Sequence, residues 1–374
     1  MGSSLRVIVA MSGGVDSSVA AALLLEQGYE VIGVTMQLWD PGLPYGLEPE
    51  GGCCSLGAVE DARAVANQLG IPYYVINFRR EFRERVVDNF VSEYLRGRTP
   101  NPCIVCNHSL KFGRLLEKAR GLNADFIATG HYARKERDLV SGRWLLKKGI
   151  DTGKDQSYFL YGLTQEQLSR SLFPLGDFTK SIIREKAVKL GLRVASKPES
   201  QEICFIPDQD YGRFIDEYRP GAARPGKIRD INGKVLAEHS GIANFTIGQR
   251  KGLGIAAGSP LYVTEIRPET HDVIVGSADQ VFADRLLASD LNWIAIESPL
   301  IKEDRPPTEA PPLTVEAKIR YSAKPALATV KPRSPRQVEV HFQSSQRAIT
   351  PGQAIVFYHG DLVLGGGTID QILR

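Results

Sequence analysis

The sequence predicts an α/β protein: a doubly wound parallel sheet, followed by a small connecting domain and a C-terminal antiparallel β-barrel. Three observations carry that expectation. β-branched apolar runs alternate with helix-length segments over the first 200 residues, short glycine-rich fragments follow, and strict two-residue alternation takes over from about Leu286. A chain of 374 residues also exceeds a typical domain of about 100 to 200 residues. The expected divisions are 1–212, 213–285 and 286–374.

Each element has its own signal. Residues 6–11 (RVIVAM) form an apolar β-branched run, residues 17–27 read as a helix closed by Gly28, and residues 30–36 (EVIGVTM) as a second strand. A helix over about 57–69 meets the stop Gly70-Ile71-Pro72 before strand 73–77. Helix 110–120 leads into a fourth buried strand at 126–129, and helix 181–190 places Ile183, Ala187 and Leu190 on one face. Residues 219–260 are glycine-rich with short apolar fragments, as expected of a small domain of loops and short strands. Beyond them Val315, Ala317, Ile319 and Tyr321 alternate with Thr314, Glu316, Lys318 and Arg320, and Val338, Val340 and Phe342 repeat the pattern. This is the texture of a small antiparallel barrel or sandwich, with the proline-dense stretch 305–312 as a loop inside it.

Composition narrows the class. A net charge of +3, with 24% charged and 43% hydrophobic residues, excludes a disordered acidic or basic tail protein and permits a sizeable core. No apolar run approaches the roughly 18 residues that cross a bilayer, and the opening residues lack a signal-peptide apolar region, so no membrane partner is expected. Five cysteines are too few, and an odd number, for a disulfide scaffold; reduced thiols in a cytoplasmic protein are the expectation. The average charge hides a local surplus. Residues 79–148 hold sixteen Lys or Arg against eight Asp or Glu, which suits either a polyanionic partner or a solvated face of charged helices.

Between the first strand and the first helix lies Ser12-Gly13-Gly14-Val15-Asp16-Ser17-Ser18. Consecutive glycines can turn successive N–H groups toward one point, and the following helix adds its positive end. The result is an anion cradle at the switch point of the sheet, with Asp16 placed to hold a Mg²⁺ that bridges phosphate oxygens. The motif resembles the pyrophosphate loop of the ATP pyrophosphatases, which split ATP into AMP and pyrophosphate to adenylate an oxygen.

Two polar or proline-rich segments carry three of the cysteines: residues 97–107 (GRTPNPCIVCN) and 197–206 (KPESQEICFI). Cys106 stands just before the expected helix 110–120, in the most basic part of the chain, where a thiolate nucleophile is favoured. A buried, inert pair is the competing reading of the Cys-x-x-Cys spacing. Cys53 and Cys54 read as packing or loop residues.

With these segments in hand, the chain resembles the tRNA-specific 2-thiouridylases, which convert the wobble uridine of certain tRNAs to 2-thiouridine, on an adenine nucleotide alpha hydrolase-like sheet. The resemblance rests on the loop Ala10 to Ser17, residues 99–107, Ala128-Thr129-Gly130-His131-Tyr132, residues 154–159 (KDQSYF), Glu202-Ile203-Cys204-Phe205 and residues 245–250 (FTIGQR). It implies that Ala10, Met11, Ser12, Gly13, Gly14, Val15, Asp16, Ser17, Met36 and Gly130 contact ATP. Asn101, Pro102 and Cys103 would lie against the target base. Cys106 would be the nucleophile and Cys204 the persulfide carrier, while His131, Lys154, Asp155, Gln156, Arg320, Tyr321 and Gln353 would contact tRNA. A sulfur donor such as a cysteine desulfurase or a sulfur relay protein is the implied second partner.

One departure stands out, because many members of that family carry an acidic residue where this chain has Cys103. The resulting set Cys103, Cys106 and Cys204 suits either a persulfide route or an iron-sulfur cluster with one open iron. Two other readings compete: a pyrophosphate-loop ligase acting on a small acceptor, which has no need of Cys106 and Cys204, and a non-catalytic RNA-binding adaptor.

Overall fold

The computed structural model describes residues 4–38, 56–198, 203–256, 258–297, 311–334 and 336–374. Cys53, Cys54, Glu202 and most of the proline-dense stretch 305–312 lie outside the described residues. The chain divides into two compact units. One comprises residues 1–87, 102–209 and 361–363, and the other residues 88–101, 210–360 and 364–374.

The first unit is built on a five-stranded parallel sheet, the fold class that the alternating sequence predicts. Its strands are β1 (Arg6–Ala10), β2 (Glu30–Gln37), β3 (Tyr73–Asn77), β4 (Phe126–Ala128) and, beyond the hairpin β5 (Ala133–Arg137) and β6 (Trp144–Lys148), β7 (Ser171–Leu172). The order across the sheet is β3-β2-β1-β4-β7, with every pair parallel. Val7, Ile8 and Val9 of the central strand are wholly buried, and each contributes about 1.5–3 kcal/mol by leaving water. Helix α1 (Val15–Glu26) is apolar on most sides because it packs on the sheet, on α2 (Leu56–Leu69) and on helix Lys180–Lys189 at once. In that last helix Ile183 and Ala187 are wholly buried and Leu190 packs partly buried against the same core. The chain runs outward from β1 to β3 on one side and from β4 to β7 on the other. The loops after β1 and β4 therefore flank the switch point, where ligands of such sheets bind.

The hairpin β5–β6 escaped the sequence reading because its alternation is interrupted by charged residues on both strands. The distant segment 361–363 belongs with it: Leu362 pairs with Lys147 and Val363 with Leu146.

The second unit holds two sheets. Strands β8 (Gly226–Asp230), β9 (Val235–His239), β10 (Tyr262–Arg267) and β11 (Asp272–Gly276) form a four-stranded sheet ordered β10-β11-β8-β9 over a core of Ile228, Phe245, Val263, Val273 and Val275. Strands β12 (Phe282–Trp293), β13 (Leu313–Lys318), β14 (Ala326–Ser334), β15 (Gln337–Arg347), β16 (Ala354–His359) and β17 (Leu362–Leu373) run β12-β15-β14-β13-β16-β17. Pairing of β12 with β17 closes them into an antiparallel barrel, which decides between barrel and sandwich. Val315, Ala317 and Ile319 point inward at 4% exposure or less, as do Val338, Val340 and Phe342. The alternation ends before Tyr321, which is exposed because β13 stops at Lys318.

Candidate active site

The short link between β1 and α1 is shaped by contacts that only small residues permit. Gly13 has a φ of +66°, and a Cβ there would stand 2.2 Å from the carbonyl oxygen of Ala58, so glycine alone lets the loop lie against the start of α2. Gly14 occupies the N-cap of α1 and has no side chain to bond the first-turn amides. The serines stiffen the turn: the Ser12 N–H donates to Ser17 Oγ at 3.1 Å, and the Ser18 hydroxyl to the Gly14 carbonyl at 2.8 Å. On the β4 side of the switch point Gly130 packs against the loop so closely that a Cβ would come within 2.8 Å of the Ser17 nitrogen.

A cleft of about 360 Å³ takes in Ala10 through Ser17, with Met36 and Gly130. Pro102, Cys103 and Cys106 line the same cleft, as do His131, Gln156 and Cys204. Residues from six separate stretches of sequence thus meet at the carboxyl ends of β1 and β4. Cys103 is exposed, and Cys106 and Cys204 are partly exposed. The Cys204 segment is seated by Phe205, which is buried and meets the ring of Phe82 edge-on at 5.6 Å.

The helix around Cys106 differs from the sequence expectation. It begins at Pro102, whose missing N–H costs nothing in a first turn, so Cys103 lies in the first turn and Cys106 within the helical run rather than ahead of it. After Cys106 the chain winds as a π-helix from Asn107 to Arg114, a rare winding that recurs at functional sites. Cys106 and Lys111, five residues apart, both face the cleft.

The sequence reading passed over three lysines of the cleft. Lys111, Lys180 and Lys197 line the cleft, and among the described residues that line it Asp16 is the acidic one. The Lys180 ammonium bonds both oxygens of the Asp16 carboxylate at 2.8 Å, and the Tyr132 hydroxyl donates to the same carboxylate at 2.8 Å. Lys197 donates to the Gly13 carbonyl at 3.0 Å and to Asp61 at 2.7 Å, tying the segment that leads to Cys204 onto the phosphate loop and α2. Only the Thr-Lys helix start at 179–180 marks Lys180 in sequence, and that is an ordinary N-cap. Burial holds the His131 imidazole well below its usual range, and Lys111 pushes the same way. The ring is therefore neutral at pH 7, with Nδ1 2.7 Å from the Thr129 hydroxyl.

The remaining candidates of the first unit are Lys154 and Asp155, which are not among the residues lining the cleft, and Gln156, which is. Lys154 and Asp155 sit in the turn after β6. Asp155 is 8% exposed, and its oxygens accept from the Gly149 N–H, the Ser157 N–H and the Ser157 hydroxyl. Gln156 bonds Tyr132 twice, through its N–H and through its side-chain oxygen. Asn101, Arg320, Tyr321 and Gln353 belong to the second unit. There Arg320 donates to the carbonyls of Arg347 and Ala348, and the Lys318 ammonium stands 5.4 Å from the Tyr321 ring.

The donor sets for metals divide. Asp16 offers oxygens suited to Mg²⁺, although Lys180 engages both of them. Among the described residues no group of three or more His, Cys, Asp or Glu is arranged to hold a metal, so Cys103, Cys106 and Cys204 do not meet as a cluster ligand set in this structure.

A parallel sheet with a glycine-serine phosphate loop at its switch point defines the class: a nucleotide-binding α/β domain of the pyrophosphate-loop kind. Family models bear on all three parts of the chain. One described as a tRNA methyl transferase HUP domain matches residues 5–208, a tRNA methyl transferase PRC-barrel domain matches 212–277, and an aminomethyltransferase beta-barrel domain matches 283–369. The chain is 58% identical to a tRNA-specific 2-thiouridylase MnmA of Heliobacterium modesticaldum, over 97% of this chain and 92% of that protein. It is 56% identical to tRNA-specific 2-thiouridylase MnmA 2 of Caldanaerobacter subterraneus and 55% identical to the MnmA of Clostridium perfringens, covering 99% and 98% of this chain and 99% of each relative. Among solved structures, a 4-thiouridine synthetase bound to RNA and ATP is similar at 20% identity and a TM-score of 0.34, over 54% of this chain and 45% of that one. The chain belongs to the tRNA-specific 2-thiouridylase family.

Proposed function

We propose that the protein uses ATP to convert the wobble uridine of tRNA to 2-thiouridine, by adenylating the uracil 2-oxygen and delivering sulfur from a persulfide on Cys204. The observation that carries this reading is that the phosphate loop and the thiols of Cys103, Cys106 and Cys204 line one cleft. A small-acceptor ligase has no use for those thiols, and a binding adaptor has no use for the loop.

The chemistry accounts for each part. The uracil 2-oxygen is a poor leaving group; its attack on the α-phosphorus of ATP expels pyrophosphate and leaves an adenylate whose departing group is AMP. Loop amides and the cleft lysines stabilise the pyrophosphate as its charge develops, and Mg²⁺ held through Asp16 would neutralise phosphate oxygens. The terminal sulfur of the Cys204 persulfide then attacks carbon 2 and AMP leaves. Cys106 completes the transfer in one of two ways. After transfer it attacks the Cys204 sulfur of the mixed disulfide on carbon 2, breaking that S–S bond so that 2-thiouridine leaves, or it attacks the persulfide beforehand to expel hydrosulfide, which then attacks carbon 2 in the persulfide's place; either route leaves a Cys106–Cys204 disulfide that a thiol reductant reopens. The base has to leave its stack to reach the cleft, with Asn101, Pro102 and Cys103 against it. Neutral His131 suits a contact that neither repels nor protonates the incoming uridine. Lys154, Asp155, Gln156, Arg320 and Tyr321 are assigned to tRNA, and a cysteine desulfurase or a sulfur relay protein to the supply of sulfur.

The test is direct. Purified protein with ATP, Mg²⁺, a persulfide donor and unmodified tRNA should yield 2-thiouridine by nucleoside mass spectrometry, with matching AMP and pyrophosphate. Absence of the thiolated nucleoside with a competent donor present overturns the proposal.

A further inference from the structure

The segment Thr99-Pro100-Asn101-Pro102 cannot hold its own shape. Two prolines remove two of its four N–H donors, and each disfavours helical backbone in the residue before it, so Thr99 and Asn101 are pushed toward extended conformations. An extended strand without a ladder needs an outside template. Within the second unit that template is the turn joining β15 to β16. The Thr99 N–H donates to the Pro351 carbonyl at 2.8 Å, and the Gln353 amide donates to the carbonyls of Thr99 at 2.8 Å and Pro100 at 3.4 Å. Gly352, at φ +90°, lies so close that a Cβ on it would stand 2.9 Å from the Thr99 nitrogen. The turn is itself pinned to β17, with Gly352 N–H donating to the Ile369 carbonyl and Ile369 N–H to the Gln353 carbonyl, both at 2.8 Å. Arg98 holds the other end of the segment against the same strand, through Asp370 at 3.4 Å and the Ile369 carbonyl at 3.3 Å, while its Nε bonds Glu93 at 2.6 Å.

We infer that Gln353, with Gly352 beneath it, is a positioning residue: it sets the backbone of Thr99–Pro100 and so fixes where Asn101 is presented. This rests on the proposed thiolation, in which Asn101 meets the target base. It gives Gln353 a structural task alongside the expected contact with tRNA, because the nitrogen of its side-chain amide donates to two carbonyls of the protein. A backbone segment released from its template misplaces the group it carries, and a misplacement of about 1 Å costs up to roughly a hundredfold in rate.

Hydrogen exchange on the free protein tests the geometry without any reaction. In Gln353→Met, similar in length but without a donor, the amides of Thr99 and Asn101 should exchange at least tenfold faster, while β1 and β2 keep their protection. Single-turnover thiolation at saturating tRNA should fall ten- to hundredfold with tRNA affinity changed less than threefold. The double variant with Asn101→Ala should be no slower than Asn101→Ala alone. Gly352→Ala should reproduce the exchange signature, and if it does not fold the Gln353 variant still decides. Unchanged exchange, or weakened tRNA affinity at an unchanged rate, overturns the inference. Failure of the wild-type protein to thiolate tRNA counts against the proposed function alone, since the exchange result stands apart from it.

Discussion

Cys106 and Cys204 differ from the other site residues in that only the sulfur half of the proposed reaction needs them. Cys204→Ser and Cys106→Ser should each reduce 2-thiouridine formation by at least a thousandfold and leave tRNA-dependent release of pyrophosphate within about fivefold of wild type, as nucleophile loss removes one chemical step and not the binding of ATP. Loss of pyrophosphate release in both variants would contradict that division. Lys180 works on the other half. Lys180→Ala strands the Asp16 carboxylate beside the loop, costing about 2 kcal/mol of stability in this largely enclosed pair, and pyrophosphate release should fall at least a hundredfold. A urea titration and a pyrophosphate assay read the two effects separately. Protonation gives a further handle. His131 is held well below its ordinary range by burial and by Lys111, and His108 is lowered by burial and by Arg85. The unfolded chain therefore binds more protons than the folded one once the pH drops below about 6.5, and stability falls from there downward by up to about 1.4 kcal/mol per pH unit for each histidine. His131→Gln should flatten that slope in urea titrations between pH 7.5 and 5.5; an unchanged slope would mean His131 carries no part of it.

Elements set how closely the loop can be approached. The tight turn of the β1–α1 link was legible from its glycines and serines alone, because backbone freedom and hydroxyl donors are local properties. What was not legible is that Gly13 rests on the Ala58 carbonyl and Gly130 on the Asp16–Ser17 backbone, since those contacts join residues far apart in sequence. Gly13→Ala should destabilise the protein by about 2–4 kcal/mol, combining an unfavourable positive φ with a backbone clash, and ATP binding should drop at least tenfold. Thermal unfolding with and without ATP checks both. The helix carrying Cys106 teaches a related lesson. The tract 97–107 read as a polar or proline-rich segment ahead of a helix at 110–120, yet Pro102 already opens a helix, because proline is excluded from helix interiors and accepted in the first turn.

At the scale of the whole molecule, charge is read directly from the sequence. Sixteen basic against eight acidic residues between 79 and 148 fit a polyanionic partner on an otherwise slightly acidic chain. Affinity for tRNA should therefore fall at least tenfold between about 50 and 200 mM salt, linearly on logarithmic axes; a flat dependence in a filter-binding titration would remove the basic surplus from the account. No helix among the described residues is long and apolar enough to cross a membrane.

The parallel sheet, the glycine-serine loop and the two cysteine-bearing segments were determined by the sequence itself, because each depends on residue type, local spacing or hydrophobic period. Tertiary structure alone decided that Lys180 and Lys197 engage the loop region, that Asp155 turns inward, that the alternating strands close as a barrel, and that Gln353 braces the segment before Asn101. Each of those facts is a contact between groups brought together from distant parts of the chain, and a linear pattern holds no distance between such groups until the core has packed.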